Sequence, residues 1–160
     1  MAHLAKFFTT FMALLVPLAA HAEDSYFIAS GEENGNPVIF RSMTAMPAEV
    51  HEIELPHRVV IRWRYETHSN GMPASGSYNG QMALEDALVP LDVNEIGRQV
   101  VVMTGDNRKE WHWYVKDFDS WMIELNRRLE GSSAFPIDIS HTYEPDWSSF
   151  KTFLVDVNRP

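Results

Sequence analysis

The residue types best suited to chemistry in this sequence occupy alternate positions of three strand-like stretches. Arg62 and Arg64 alternate with apolar side chains in 58–65, His112 and Tyr114 with Trp111 and Trp113 in 110–117, and Asp138 and Ser140 with Ile137 and Ile139 in 135–143. Successive side chains of a strand point to opposite faces, so each stretch has an apolar face and a polar one. Laid side by side, the three polar faces would gather these six groups. Two guanidinium forks with an imidazole and a phenol suit a carboxylate or a phosphate group. His112, oriented by Asp138, is also a candidate for a catalytic general base near neutral pH. The plainer alternative is an exposed sheet face on which Arg62 and Asp138 form a surface ion pair, or a face covered by an amino-terminal hairpin.

Other chemistry is poorly represented. No serine lies in a Gly-x-Ser-x-Gly context, so a hydrolase triad has no obvious nucleophile. Histidines 51, 57, 68, 112 and 141 form no His-x-x-x-His or histidine-acid motif, and the chain has no cysteine. Neither a metal nor a cofactor is expected. Thr104-Gly105-Asp106-Asn107 matches a short motif of phosphorylating ion pumps, but it falls at a hairpin and lacks the partner motif. Gly71, Gly76 and Gly80 have the wrong spacing for a phosphate loop. Glu85 and Asp86 point about a hundred degrees apart on a helix, so they read as solvated rather than as paired carboxylates.

Positioning these groups requires a folded domain, and the bulk properties allow one. The first residues carry one lysine, an apolar run from Phe7 to Ala20 and the triplet Ala20-His21-Ala22. This reads as a secretory signal cleaved after Ala22, shorter than a spanning helix, and predicts a periplasmic or secreted protein with no stable membrane anchor. The whole chain has 160 residues, 13 basic, 22 acidic, and a net charge of −9. The signal holds one lysine and no acid, so the remainder carries −10. Such a surface disfavours nucleic acid as a partner. Residues 23–160 suit a single domain held by its own packing, with the aromatics as the main source.

Along that domain, 26–30 and 37–41 flank Gly-Glu-Glu-Asn-Gly-Asn and predict a hairpin. Residues 42–56 read as a connector and 66–80 as an exposed loop. A helix is expected from near Gln81, with Pro90 either ending it around Leu88 or opening a further turn. Residues 98–104 read as a buried strand, and Gly105 to Lys109 as the loop into the aromatic strand. Asp117 is placed to cap a helix striped by Phe118, Trp121, Met122, Leu125 and Leu129, and Gly131 to stop it. Trp111 and Trp113 are expected to hold the helices to the sheet. After 135–143, Asp146 could cap a short helix, or 153–157 could be extended. From residue 58 the order is strand, helix, strand, strand, helix, strand. That predicts an α+β, ferredoxin-like antiparallel sheet with both helices on one face, which the hairpin extends or partly covers.

Arg62-Trp63-Arg64-Tyr65, Gly71-Met72-Pro73, Leu84-Glu85-Asp86, the run Trp111 to Asp117 and Glu144-Pro145-Asp146-Trp147 together give a likeness. By this ordered set the chain resembles the bacterial family catalogued as domain of unknown function 695. The resemblance implies a small α+β domain and brings no assigned activity. In element order alone the chain is also similar to the regulator of ribonuclease E family, whose members inhibit a cytoplasmic enzyme. The export signal argues against that target, and what the likeness implies is a protein-binding module. The expectation is therefore an exported, non-catalytic module binding a protein or a small anionic ligand on its sheet face. The alternative is a small hydrolase or isomerase using His112 with Arg62, Arg64 and Tyr114.

Overall fold

The computed structural model describes residues 25–67 and 70–157. The secretory segment expected at 1–22 and His68 lie outside them. The fold is α+β. Six strands, β1 (Tyr26–Glu33), β2 (Asn36–Met43), β3 (His57–Arg64), β4 (Gly97–Gly105), β5 (Arg108–Val115) and β6 (Ile137–Tyr143), form one antiparallel sheet in the order β1-β2-β4-β5-β3-β6. Among the described residues three α-helices accompany it: α1 (Ser75–Leu88), α2 (Phe118–Leu129) and α3 (Ser148–Val157). None is long and apolar enough to cross a membrane.

Alternation along β3 and β5 decides which face each helix covers. Val59, Ile61 and Trp63 share one face with Trp111, Trp113 and Val115, and these pack with Leu84 and Leu88 of α1 and Trp121 and Leu125 of α2. All of these residues except Trp63 are almost fully buried. The Asp117 side chain accepts from the Ser120 amide at 2.8 Å, capping α2 as its sequence predicts. Past the end of α2, Gly131 takes a φ of +79°.

The opposite face carries a second core that the sequence left open. The amino-terminal hairpin does not cover this face; it extends the sheet, pairing β2 with β4. Covering falls instead to the carboxyl-terminal segment, which is helical through Val157. Trp147 and Phe150 pack there with Met43, Val50, Leu55, Val100, Val101 and Tyr114.

Helix α1 begins at Ser75, six residues before the expected start at Gln81. Ser75-Gly-Ser-Tyr-Asn-Gly has poor helix propensity, and no side chain caps its first turn. Packing overrides this preference. A Cβ at Gly80 would meet the Trp63 ring at 2.7 Å, so only glycine lets this helix lie so close to β3. Pro90 does both things expected of it: α1 stops at Leu88, and a 3-10 turn over Val89–Leu91 buries Leu91. The hairpin between β4 and β5 is tighter than the five residues expected, turning on Asp106 and Asn107 with φ of 47° and 62°.

Candidate functional site

Antiparallel pairing of β5 with β3, and of β3 with β6, brings the expected residues onto one face. Arg62 lies opposite Glu110, Val60 opposite His112 and Arg58 opposite Tyr114, while on the other side of β3 Asp138 faces Arg62 and Ser140 faces Val60. Register neighbours are not always bonding partners. Arg62, between Asp138 and Glu110 in register, gives its Nε to Glu110 Oε1 at 2.5 Å. Asp138 and Ser140 stay exposed on the edge strand, and Arg64 is exposed at the end of β3.

Glu110 is the hub that the sequence reading missed. It is 5% exposed, and Arg62 Nε and Arg108 Nε both donate to its Oε1 while His112 Nε2 lies 3.0 Å from Oε2. Burial alone would raise its pKa, but hydrogen bonds and charge from His112 and Arg62 outweigh it and bring the carboxyl down to about 2. Arg108 extends the ladder, with Nη2 on both oxygens of Glu33 at 3.0 and 2.8 Å and Nη1 on Asp106 at 3.0 Å. Asp106 also accepts from Asn34 and Asn36, which ties the two hairpin tips together. The only signal for Glu110 was its place two residues before His112 on the same face.

At the other end, Arg58 Nη2 lies 3.3 Å from His112 Nδ1. An arginine can only donate, so in this contact Nδ1 is the acceptor, and Nε2 carries the proton given to Glu110. His112 thus has both ring nitrogens engaged. Tyr114 donates to Glu144 Oε1, whose carboxylate also takes the Ser149 amide at 2.7 Å and hydroxyl at 2.8 Å. Burial first, then the bond to the Glu144 carboxylate, pushes the Tyr114 phenol far above its ordinary range.

Where α3 lies over the sheet, a cavity of about 120 Å³ is left. Phe40, Val100, Val101, Met103, Phe150 and Phe153 give it an apolar body, and Arg58, Glu110, His112, Tyr114 and Ser149 line the rest. A register shift between Gln99 and Val101 makes Val100 an extra residue in β4, and both Val100 and Val101 line the cavity. Arg62, Arg64, Asp138 and Ser140 are outside this lining. Of the expected site residues, His112 and Tyr114 reach it. Arg58 was legible from the same alternation that gave Arg62, whereas Phe150 and Phe153 lay in the segment whose conformation the sequence left undecided.

On the face of α1 and α2, two further groups depart from expectation. Glu85 is not solvated: it accepts from Trp111 Nε1 at 2.9 Å and pairs with Lys109 at 2.8 Å. His57 Nδ1 and His141 Nε2, on adjacent strands, lie 2.8 Å apart, and the Phe118 ring stacks on His141. No linear histidine motif signals that pair, because β3 and β6 bring it together across 84 positions. Among the described residues no group of three or more histidine, cysteine or acidic side chains is arranged to hold a metal ion.

The comparisons agree with the likeness drawn from the motifs. No curated protein and no solved structure matches the chain. Residues 26–155 match the model of the family described as "Family of unknown function (DUF695)". That span runs from β1 into α3 and takes in both cores, so the chain belongs to this family over nearly all of its described fold.

Proposed function

We propose that this protein is a non-catalytic binding module, exported from the cell, which engages a protein or small anionic partner on the sheet face that bears Arg62, Arg64 and His112. The observation that carries the reading is the engagement of His112 at both ring nitrogens, by Arg58 and by Glu110. A general base needs a free lone pair within reach of a substrate proton, and here that lone pair already accepts from a guanidinium. Tyr114 and Glu144 are likewise committed to each other. Arg64, exposed on this face, offers a guanidinium fork that binds anions rather than reacts. The hydrolase or isomerase reading therefore has its central residue occupied. A ferredoxin-like core is part of the proposal, supported by the strand order β4-β5-β3-β6 and by α1 and α2 on one face.

The test is affinity capture from a cell-envelope extract with wild type, Arg62→Ala and Arg64→Ala. A defined partner retained by wild type and lost by either variant supports the reading, and one retained equally by all three overturns it. A parallel substrate screen with His112→Ala checks the enzymatic alternative. Turnover in wild type that vanishes in this variant would establish catalysis in its place.

A further inference from the structure

The cavity beneath α3 has a definite chemistry, and its occupant can be specified. We propose that it binds a carboxylate carried on a compact branched hydrocarbon of four or five carbons, with the carboxylate on Arg58 and the hydrocarbon among Val100, Val101, Met103, Phe150 and Phe153. This deepens the sheet-face reading above and rests on it.

Size comes first. A dry engineered cavity of about 150 Å³ accepts benzene. The present cavity, about 120 Å³, takes a group of isobutyl size. Drug-sized ligands occupy pockets of about 300 Å³ or more, so only a side-chain-sized portion of a ligand enters. The apolar lining comes from β2, β4 and α3, whose side chains leave this gap without filling it.

The polar end selects the head group by elimination. Glu110 is taken by Arg62, Arg108 and His112, and Glu144 by Tyr114 and Ser149. Among the described residues that line the cavity, no carboxylate is left to receive an ammonium group. Arg58 is different: its charge acts on Glu144 nearby, but its guanidinium has five N–H donors and His112 Nδ1 accepts from only one nitrogen. An acceptor with negative charge fits beside its remaining donors. A free short branched-chain acid and the carboxyl terminus of a peptide ending in leucine or valine share this chemistry.

The experiment is an amide, Arg Nε–H and methyl NMR titration of the purified protein with four probes: isovalerate, a short peptide ending in free leucine, the same peptide amidated, and isobutylamine. The expected result is saturable shifts at Arg58, Val101 and Met103 with isovalerate or the free peptide, and none with the amide or the amine. Response to the peptide alone assigns the source to a chain terminus, and response to isovalerate alone assigns it to a free acid. Arg58→Gln should weaken binding at least about tenfold, the loss of a charge-assisted hydrogen bond. Val101→Phe, which fills the cavity, should abolish binding while Arg58 keeps its native signals. The proposal is overturned if neither acid gives saturable shifts, if the amide or amine binds equally well, or if Val101→Phe binds undiminished. Failure here with partner capture still lost in Arg64→Ala would leave the sheet-face reading standing. Binding here with capture indifferent to Arg62 and Arg64 would confine recognition to the cavity.

Discussion

The Tyr114 ring lies flat on the Trp147 indole, with centroids 4.1 Å apart and planes 8° from parallel. The same pair is pinned at both polar ends: Tyr114 donates to Glu144, and Trp147 Nε1 donates to the Leu55 carbonyl at 2.9 Å. This stack fastens α3 to the sheet. Tyr114→Phe keeps the ring and loses the charge-assisted bond, so it should cost about 2 kcal/mol in urea denaturation. Trp147→Leu loses the stack, the indole donor and much of the buried volume, and should cost about 4 kcal/mol. A smaller effect for the tryptophan variant than for the tyrosine variant would contradict this account.

Glu110 holds the charge ladder, and its titration has a definite sign. Its folded pKa of about 2 lies below the ordinary value of 4.5, so its contribution is fully present above pH 4.5 and is lost as pH falls toward 2. Glu110→Gln leaves the Arg62 and Arg108 guanidiniums without their shared negative charge and should cost about 3 kcal/mol at pH 7. Between pH 4.5 and 2.5, the stability of Glu110→Gln should fall less steeply than that of wild type. Parallel slopes would show that other carboxylates dominate acid unfolding.

His141 titrates in the opposite range. Burial first, then the charge of His57 beside it, lower its pKa below the usual 6.5. The fold therefore favours the neutral ring: stability is complete above pH 6.5 and declines as pH falls through that value. Asp117 and Asp119 at the start of α2 face this pair and soften the repulsion. His141→Asn should flatten the stability profile between pH 7 and 5. An unchanged slope would assign it elsewhere.

Two glycines separate conformational need from spatial need. Gly105 has φ of +138° and a Cβ there would sit 2.2 Å from the Pro37 carbonyl oxygen, so Gly105→Ala should cost more than about 3 kcal/mol or prevent folding. Gly80 is helical, and alanine there gains about 1 kcal/mol of propensity. Its collision with Trp63 should nonetheless leave Gly80→Ala less stable by about 1 kcal/mol. A stabilised Gly80→Ala would mean that the indole shifts freely.

What the sequence made legible follows from periodicity. Strand alternation placed Trp111 and Trp113 against the helices and His112 and Tyr114 on the other face, because a buried face fixes register strongly. The stripe and cap of α2 were equally plain. The start of α1 was hidden because Gly80 is there for Trp63, a contact 17 positions away, rather than for the helix. Glu110 as the partner of Arg62 was hidden for a related reason. Asp138 and Glu110 flank Arg62 on its two sides, and only the burial of one over the other decides the bond. The family motifs become physical in the same way: Gly71 has φ of +70°, and its carbonyl accepts from Asn107 where the chain meets the β4-β5 turn.

Helix α3 and the Trp147 before it complete the second core, where Trp147 and Phe150 pack on Met43, Val100, Val101 and Tyr114. A variant that detaches this segment would bare a greasy plane on the sheet, so α3 also guards the molecule against clumping with its neighbours.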